Sequence, residues 1–171
     1  MTKETRDQKI ERYKNGYYDL IDALKGFPRE MWAFKPSKDR WCIHEILVHI
    51  ADSEANAFVK CRKLIAEPGK PVNDYQQDIW SHALDYMNQS TDEVLELFKM
   101  LRFTTYKIIQ SLPDSTWRNA VGHSENKTVT LDDWLDIYAN HIPDHIVQMK
   151  KNLDAWNKQQ VFTKAVIVFC L

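Results

Sequence analysis

Leu131-Asp132-Asp133-Trp134-Leu135-Asp136-Ile137-Tyr138-Ala139-Asn140-His141-Ile142-Pro143-Asp144-His145-Ile146 is the stretch on which the fold turns. Its large apolar residues, Leu131, Trp134, Leu135, Tyr138, Ile142 and Ile146, recur at intervals of three and four. The stripe continues through Met149, Leu153 and Trp156. That spacing is one face of an α-helix. Thr130 supplies a start, with Asp133 at the third helical position. His141 and His145 lie within the stripe, and residues at i and i+4 project from the same side of a helix. Both imidazoles can therefore reach one point. Pro143, between them, removes a backbone donor and frees the carbonyl of Ala139, which predicts a kink that curves the helix around the bundle, sets the angle between the two rings, or does both.

Three further stripes of the same period precede this one. The first runs from about Glu4 to Lys25 through Ile10, Tyr13, Tyr17, Leu20, Ile21 and Leu24, and Gly26 and Pro28 end it. The second runs from about Cys42 to Ala66 through Ile43, Ile46, Leu47, Ile50, Ala57, Cys61 and Leu64, and stops at Pro68-Gly69. The third opens at Ser90, with Glu93 at capping-box spacing, carries Val94, Phe98, Leu101 and Ile109, and stops at Pro113. Each pattern covers about 20–27 residues, or roughly 30–40 Å at 1.5 Å per residue. Four matched amphipathic helices hide their stripes in a four-helix bundle, so the expected class is all-α. The second and third connections are long enough to cross the bundle, so up-down-up-down order does not follow. Trp80, Ala83, Leu84 and Met87 predict a short extra helix inside the second connection.

The composition agrees. Only four of the 171 residues are glycine, too few for an all-β chain rich in tight turns. Six tryptophans and seven tyrosines predict a thick aromatic packing layer, with the lining of a pocket as the alternative. A net charge of −1 gives no basic field, which argues against a nucleic-acid partner. No apolar run is long enough for a membrane span, and the charged start, Met1 to Arg6, lacks the core of a signal peptide. Cys42, Cys61 and Cys170 have no metal or redox spacing and read as reduced thiols of a cytoplasmic protein. Residues 161–171 differ from the rest in being mostly apolar. They are expected to lie outside a bundle domain of residues 1–160 and to bury Val166, Val168 and Phe169 against the bundle or a second subunit. A tail native to the fold and an appended extension are both open readings.

A metal held by two histidines needs a third ligand. On a wheel of about 100° per residue with Ile46 at zero, the second stripe centres near +55°. His49, Ser53, Asn56 and Glu45 then fall between about −20° and −100° and form a polar strip beside the buried face. His49 is the third candidate ligand. Glu45 and Asp52 are the nearest carboxylates able to accept a ligand's second N–H. His44-Glu45-Ile46-Leu47-Val48-His49 only superficially resembles the zinc-protease motif, whose second histidine would stand at position 48. His82 and His123 read as surface residues in loops. Three neutral imidazoles suit zinc, nickel, copper or iron, with zinc or nickel expected, and leave coordination positions open, as catalytic sites do.

Trp41-Cys42-Ile43-His44-Glu45-Ile46-Leu47-Val48-His49-Ile50-Ala51-Asp52-Ser53-Glu54 together with His141-Ile142-Pro143-Asp144-His145 resembles the DinB/YfiT-like superfamily of metalloenzymes. Tyr75 to Trp80 and Leu101 to Thr105 look like that family's connecting elements, and the likeness covers roughly residues 8 to 158. The resemblance implies a four-helix bundle, often dimeric, with His49, His141 and His145 as metal ligands. Some members look like S-transferases using bacillithiol, mycothiol or glutathione; others are labelled metal-dependent hydrolases. The expectation is a metal-dependent hydrolase or thiol S-transferase acting on a small molecule. A non-catalytic metal- or ligand-binding bundle linked to stress is the alternative.

Overall fold

The computed structural model describes residues 4–72, 75–123 and 127–169; the side chains of residues 123, 127 and 162–169 lie outside that description. Among the described residues five α-helices occur: α1 (Arg6–Leu24), α2 (Ile43–Ala66), α3 (Gln77–Ala83), α4 (Thr91–Ile109) and α5 (Leu131–Phe169). The chain is mostly helical, and α1, α2, α4 and α5 form a four-helix bundle. Their starts follow the expected capping chemistry. Thr5 and Gln8 form a capping box at α1. Glu45 accepts the Cys42 N–H at 3.0 Å at the head of α2. Ser90 Oγ accepts the Glu93 N–H at 3.3 Å. Thr130 Oγ1 accepts the Asp133 N–H at 3.1 Å, while Asp133 Oδ2 accepts the Thr130 N–H at 2.9 Å. These bonds satisfy donors that a helix start leaves open.

α1 packs chiefly on α5 and α2 on α4, with α1–α4 and α2–α5 completing the ring. The helices consecutive in sequence, α1 and α2, thus stand on a diagonal, as do α4 and α5. The long connections make this order accessible. The extra helix of the second connection is α3, followed by a short 3₁₀ turn at Tyr86–Asn88. α5 runs on through Pro143 for 39 residues, well beyond the expected length, and passes residue 160 to end at Phe169. The side chains of Val166, Val168 and Phe169, expected to be buried, lie outside the described residues.

One element was not expected. β1 (Ala120–His123) and β2 (Lys127–Thr130) pair antiparallel, with Ala120 opposite Thr130 and Val121 opposite Val129. The chain leaving α2 lies along this hairpin: Gly69 N–H donates to Ala120 O at 2.7 Å and Val72 N–H to Gly122 O at 2.9 Å. Gly69 makes the turn at φ +86°, a conformation that costs glycine little. The hairpin brings Val121 under Trp117 and Leu131, sealing one end of the core.

The core has two parts. Leu20, Met31, Ile46, Ile50, Phe98, Ile142 and Met149 belong to one, and Tyr13, Ala57, Trp117, Trp134, Leu135 and Ala139 to the other. Ala139 and Ile142 lie on either side of that division, so His141 sits at the junction. Trp32, Trp117 and Trp134 are buried, as the packing-layer expectation requires. Cys42 and Cys61 are buried free thiols, and burial pushes them up to about 11 and about 12. Among the described residues no helix is long and apolar enough to cross a membrane.

Candidate metal centre

α2 and α5 bring His49, His141 and His145 together. One ligand nitrogen from each ring lies within 4.8 Å of the other two. The Nε2 atoms of His141 and His145 are 3.0 Å apart. The His49 ring meets both edge-on, with centroids 5.4 Å and 5.0 Å away. Nitrogens bound tetrahedrally to one ion at about 2.0–2.2 Å stand roughly 3.3–3.6 Å apart, so nitrogens within 4.8 Å of one another need to close by about an ångström to share it. The donor set fits a divalent transition metal.

The protonation states fit as well. Burial, together with the neighbouring His145, pushes His49 down to about 3. Burial holds His141 well below the usual range, and His145 is lowered chiefly by burial. All three are neutral at pH 7, the state in which an imidazole lends a lone pair. Gln148 Oε1 lies 2.9 Å from His145 Nδ1, and an amide oxygen can only accept. His145 Nδ1 therefore carries the proton, which leaves its Nε2 lone pair facing His141. Tyr75 Oη lies 3.3 Å from His49 Nδ1, close enough to hydrogen-bond that ring. His141 Nδ1 is buried with no hydrogen-bond partner. That orphan ties His141 to the cluster by its Nε2 alone.

The two carboxylates expected nearby are occupied elsewhere. Glu45 binds Lys35 Nζ at 2.6 Å and caps α2. Burial pushes its carboxyl up, but the bonds from Lys35 and Cys42 outweigh this and hold it low. Asp52 accepts the Tyr86 hydroxyl at 2.5 Å. Burial raises Asp52, and burial, with the Asp52 charge adding to it, raises Tyr75. Its link to the rings is thus indirect. The helical wheel located the polar strip but not the loop residues that compete for its carboxylates. Gln148 was detectable as the i+3 neighbour of His145, whereas Tyr75 stands in a connection with no periodicity to mark it. His44 faces away, with Nε2 3.0 Å from Gln89 O. His82 lies exposed in α3 rather than in a loop, and His123 is in β1.

The cluster is approached from two sides. His145 and Gln148 line a cleft of about 230 Å³ with Arg40, Trp41 and Asp78. Tyr75 and Tyr138 line another of about 390 Å³ with Asn56, Lys60 and Lys63. The Trp41 ring, 4.8 Å from that of His49, walls one side. Asn152 Nδ2 fixes Trp41 by donating to its carbonyl at 2.9 Å.

Several known proteins are similar to this chain. A protein of Oceanobacillus iheyensis designated a metal-dependent hydrolase is 23% identical over 109 residues, which is 64% of this chain and 63% of that protein. YfiT of Bacillus subtilis, with the same designation, is 23% identical over 110 residues, 64% and 62% of the two chains. These matches span less than two thirds of either relative. YuaE of Bacillus subtilis, an uncharacterized protein, is 24% identical over 146 residues, 76% of this chain and 88% of that one. Among solved structures, that of YfiT, described as a probable metal-dependent hydrolase with an unusual four-helix bundle topology, superposes with a TM-score of 0.81. The identity is 18%, with 92% of each chain covered. A mycothiol-dependent maleylpyruvate isomerase shares the fold at a TM-score of 0.69 and 11% identity, covering 87% of this chain and 63% of that one. A sequence model of the DinB superfamily matches residues 12–149, most of the bundle and all three clustered histidines, and the chain belongs to that superfamily.

Proposed function

We propose that the chain is a metal-dependent enzyme in which His49, His141 and His145 hold one divalent transition metal, zinc or nickel, and act on a small molecule by hydrolysis or thiol transfer. The convergence of three neutral imidazoles, His49 buried and His141 and His145 half-buried, beside an open cleft carries this reading. When bound, the metal would supply Lewis acidity and acidify a water or thiol at an open position. The chain's own residues do the rest. Gln148 and Tyr75 hold two of the rings in their ligating orientation. Trp41 keeps bulk water from one face. Burial keeps Tyr75 protonated, so its hydroxyl remains a hydrogen-bond donor beside the site. The designation of the relatives as metal-dependent hydrolases supports water as the nucleophile, and the mycothiol-dependent isomerase supports a low-molecular-weight thiol. A homodimer in the cytoplasm completes the proposal.

A non-catalytic metal-binding bundle is the second reading. It is favoured by one observation: among the described residues, no carboxylate is hydrogen-bonded to any of the three rings. The experiment that separates the two compares zinc- and nickel-loaded protein, chelator-treated protein and H145A. Each is offered simple esters, amides, and thiols paired with electrophiles. Turnover that requires metal and disappears in H145A supports the enzyme; stoichiometric metal without turnover supports the binder.

A further inference from the structure

Arg102, on α4, lies wholly inside the bundle, and so does Glu54 on α2; both side chains are 0% exposed. The Arg102 guanidinium donates to Glu54 Oε2 from Nη2 at 2.9 Å and from Nε at 3.2 Å. Its Nη1 donates to Tyr13 O on α1 at 3.2 Å, and its Nη2 to Tyr138 O on α5 at 3.0 Å. One side chain thus binds all three of the other long helices. The Tyr13 hydroxyl donates to the remaining Glu54 oxygen, and the Tyr13 ring lies 4.2 Å from the guanidinium carbon. Gly16 makes the space: a Cβ at that position would collide with Arg102 Nη1.

A buried ion pair is a poor device for stability alone, because well-packed apolar residues of similar volume often do as well or better. What apolar residues cannot provide is direction. The guanidinium is a rigid fork whose N–H groups fix the positions of their acceptors. Here the acceptors stand on both helices that carry the clustered histidines. Glu54 follows His49 by five residues on α2, and Tyr138 precedes His141 by three on α5. A slide or rotation of α5 against α2 would separate the rings, and it would also break the bonds to Arg102. We infer that Arg102 and Glu54 are positioning residues for the metal centre, holding α5 in register on α2 so that His141 and His145 meet His49, and that they serve metal affinity more than fold stability. The inference rests on the three histidines being the ligands.

The test replaces the network with apolar groups of similar volume, as Y13F/E54M/R102M, and measures melting temperature and zinc affinity by competition with a chromophoric chelator. The expected result is a melting temperature equal to or above that of the parent, with the zinc Kd raised roughly 10–100-fold, the cost typical of lost outer-shell support. A visible Co(II) spectrum weaker than the parent's would accompany it. G16A is the second variant, because it displaces the guanidinium while keeping both charges and an intact α1. It should weaken zinc binding in the same direction. A folded variant of either kind with the parent's zinc Kd would overturn the inference, and so would a lowered melting temperature at unchanged Kd. Failure of the ligand assignment has a different signature, unchanged zinc binding in H145A, and would remove this inference with it.

Discussion

His141 Nε2 and His145 Nε2 lie 3.0 Å apart on one helix, closer than two imidazole nitrogens come without a shared proton or a shared ion. Gln148 has already claimed the proton of His145 at Nδ1, so any hydrogen between the two Nε2 atoms must come from His141. That would leave His141 Nδ1, buried and unpartnered, as a bare acceptor. A cation in place of the hydrogen lets both nitrogens act as donors of electron pairs.

Replacing His145 with Ala should abolish stoichiometric metal binding and leave the bundle folded. The fold rests on apolar burial, and a bound ion adds only linkage stabilisation. Metal analysis combined with circular dichroism checks this; a full equivalent of metal in H145A would remove His145 from the ligand set.

Gln148→Ala and Tyr75→Phe each remove a group that orients a ring without touching the ion. Metal affinity should fall roughly 10–100-fold in Q148A, and less in Y75F, whose bond to His49 is the longer at 3.3 Å. Competition titration measures both. Equal, unchanged affinities would show that packing alone orients the rings.

Acid should destabilise the metal-free protein in a defined window. An unfolded histidine takes up its proton near 6.5, whereas burial holds folded His49 down to about 3. The unfolded state therefore binds more protons between these values, and stability rises with pH across them. It is fully present above about 6.5 and is lost progressively as pH falls towards about 3; His141 and His145, also lowered by burial, act in the same direction. Denaturant titrations of the parent and of H49A test the sign, and the parent should show the steeper loss.

Phe98→Ala should cost about 3–5 kcal/mol, because the ring is fully buried. Chemical denaturation measures this. A loss below about 1 kcal/mol would place Phe98 outside the rigid core.

The helices were legible because each buries one stripe at a 3.6-residue period, with Ser90 and Glu93 or Thr130 and Asp133 marking a start. The histidine pair was legible because i and i+4 on any helix share a side. The hairpin was not: Val121, Val129 and Thr130 offer too few alternating residues to register, and its stability comes from long-range contacts with Gly69 and Val72. The Arg102–Glu54 pair leaves a signal in the sequence. Glu54 falls near +80° on the wheel, at about 100° per residue, close to the centre of its apolar stripe, and Arg102 follows Phe98 by four. A charge inside a stripe marks a buried partner elsewhere. Tyr75 and the partners of Glu45 and Asp52 depend on how connections fold back, which spacing does not encode.

The central claim is that His49, His141 and His145 together hold one divalent ion. X-ray absorption on the protein loaded with one equivalent of zinc tests it most directly, with H49A and H145A measured in parallel. The expected result is three imidazole nitrogens at about 2.0–2.2 Å in the parent and fewer in each variant. A zinc shell of oxygen or sulfur ligands, or one with the same imidazole count in all three proteins, would contradict the account.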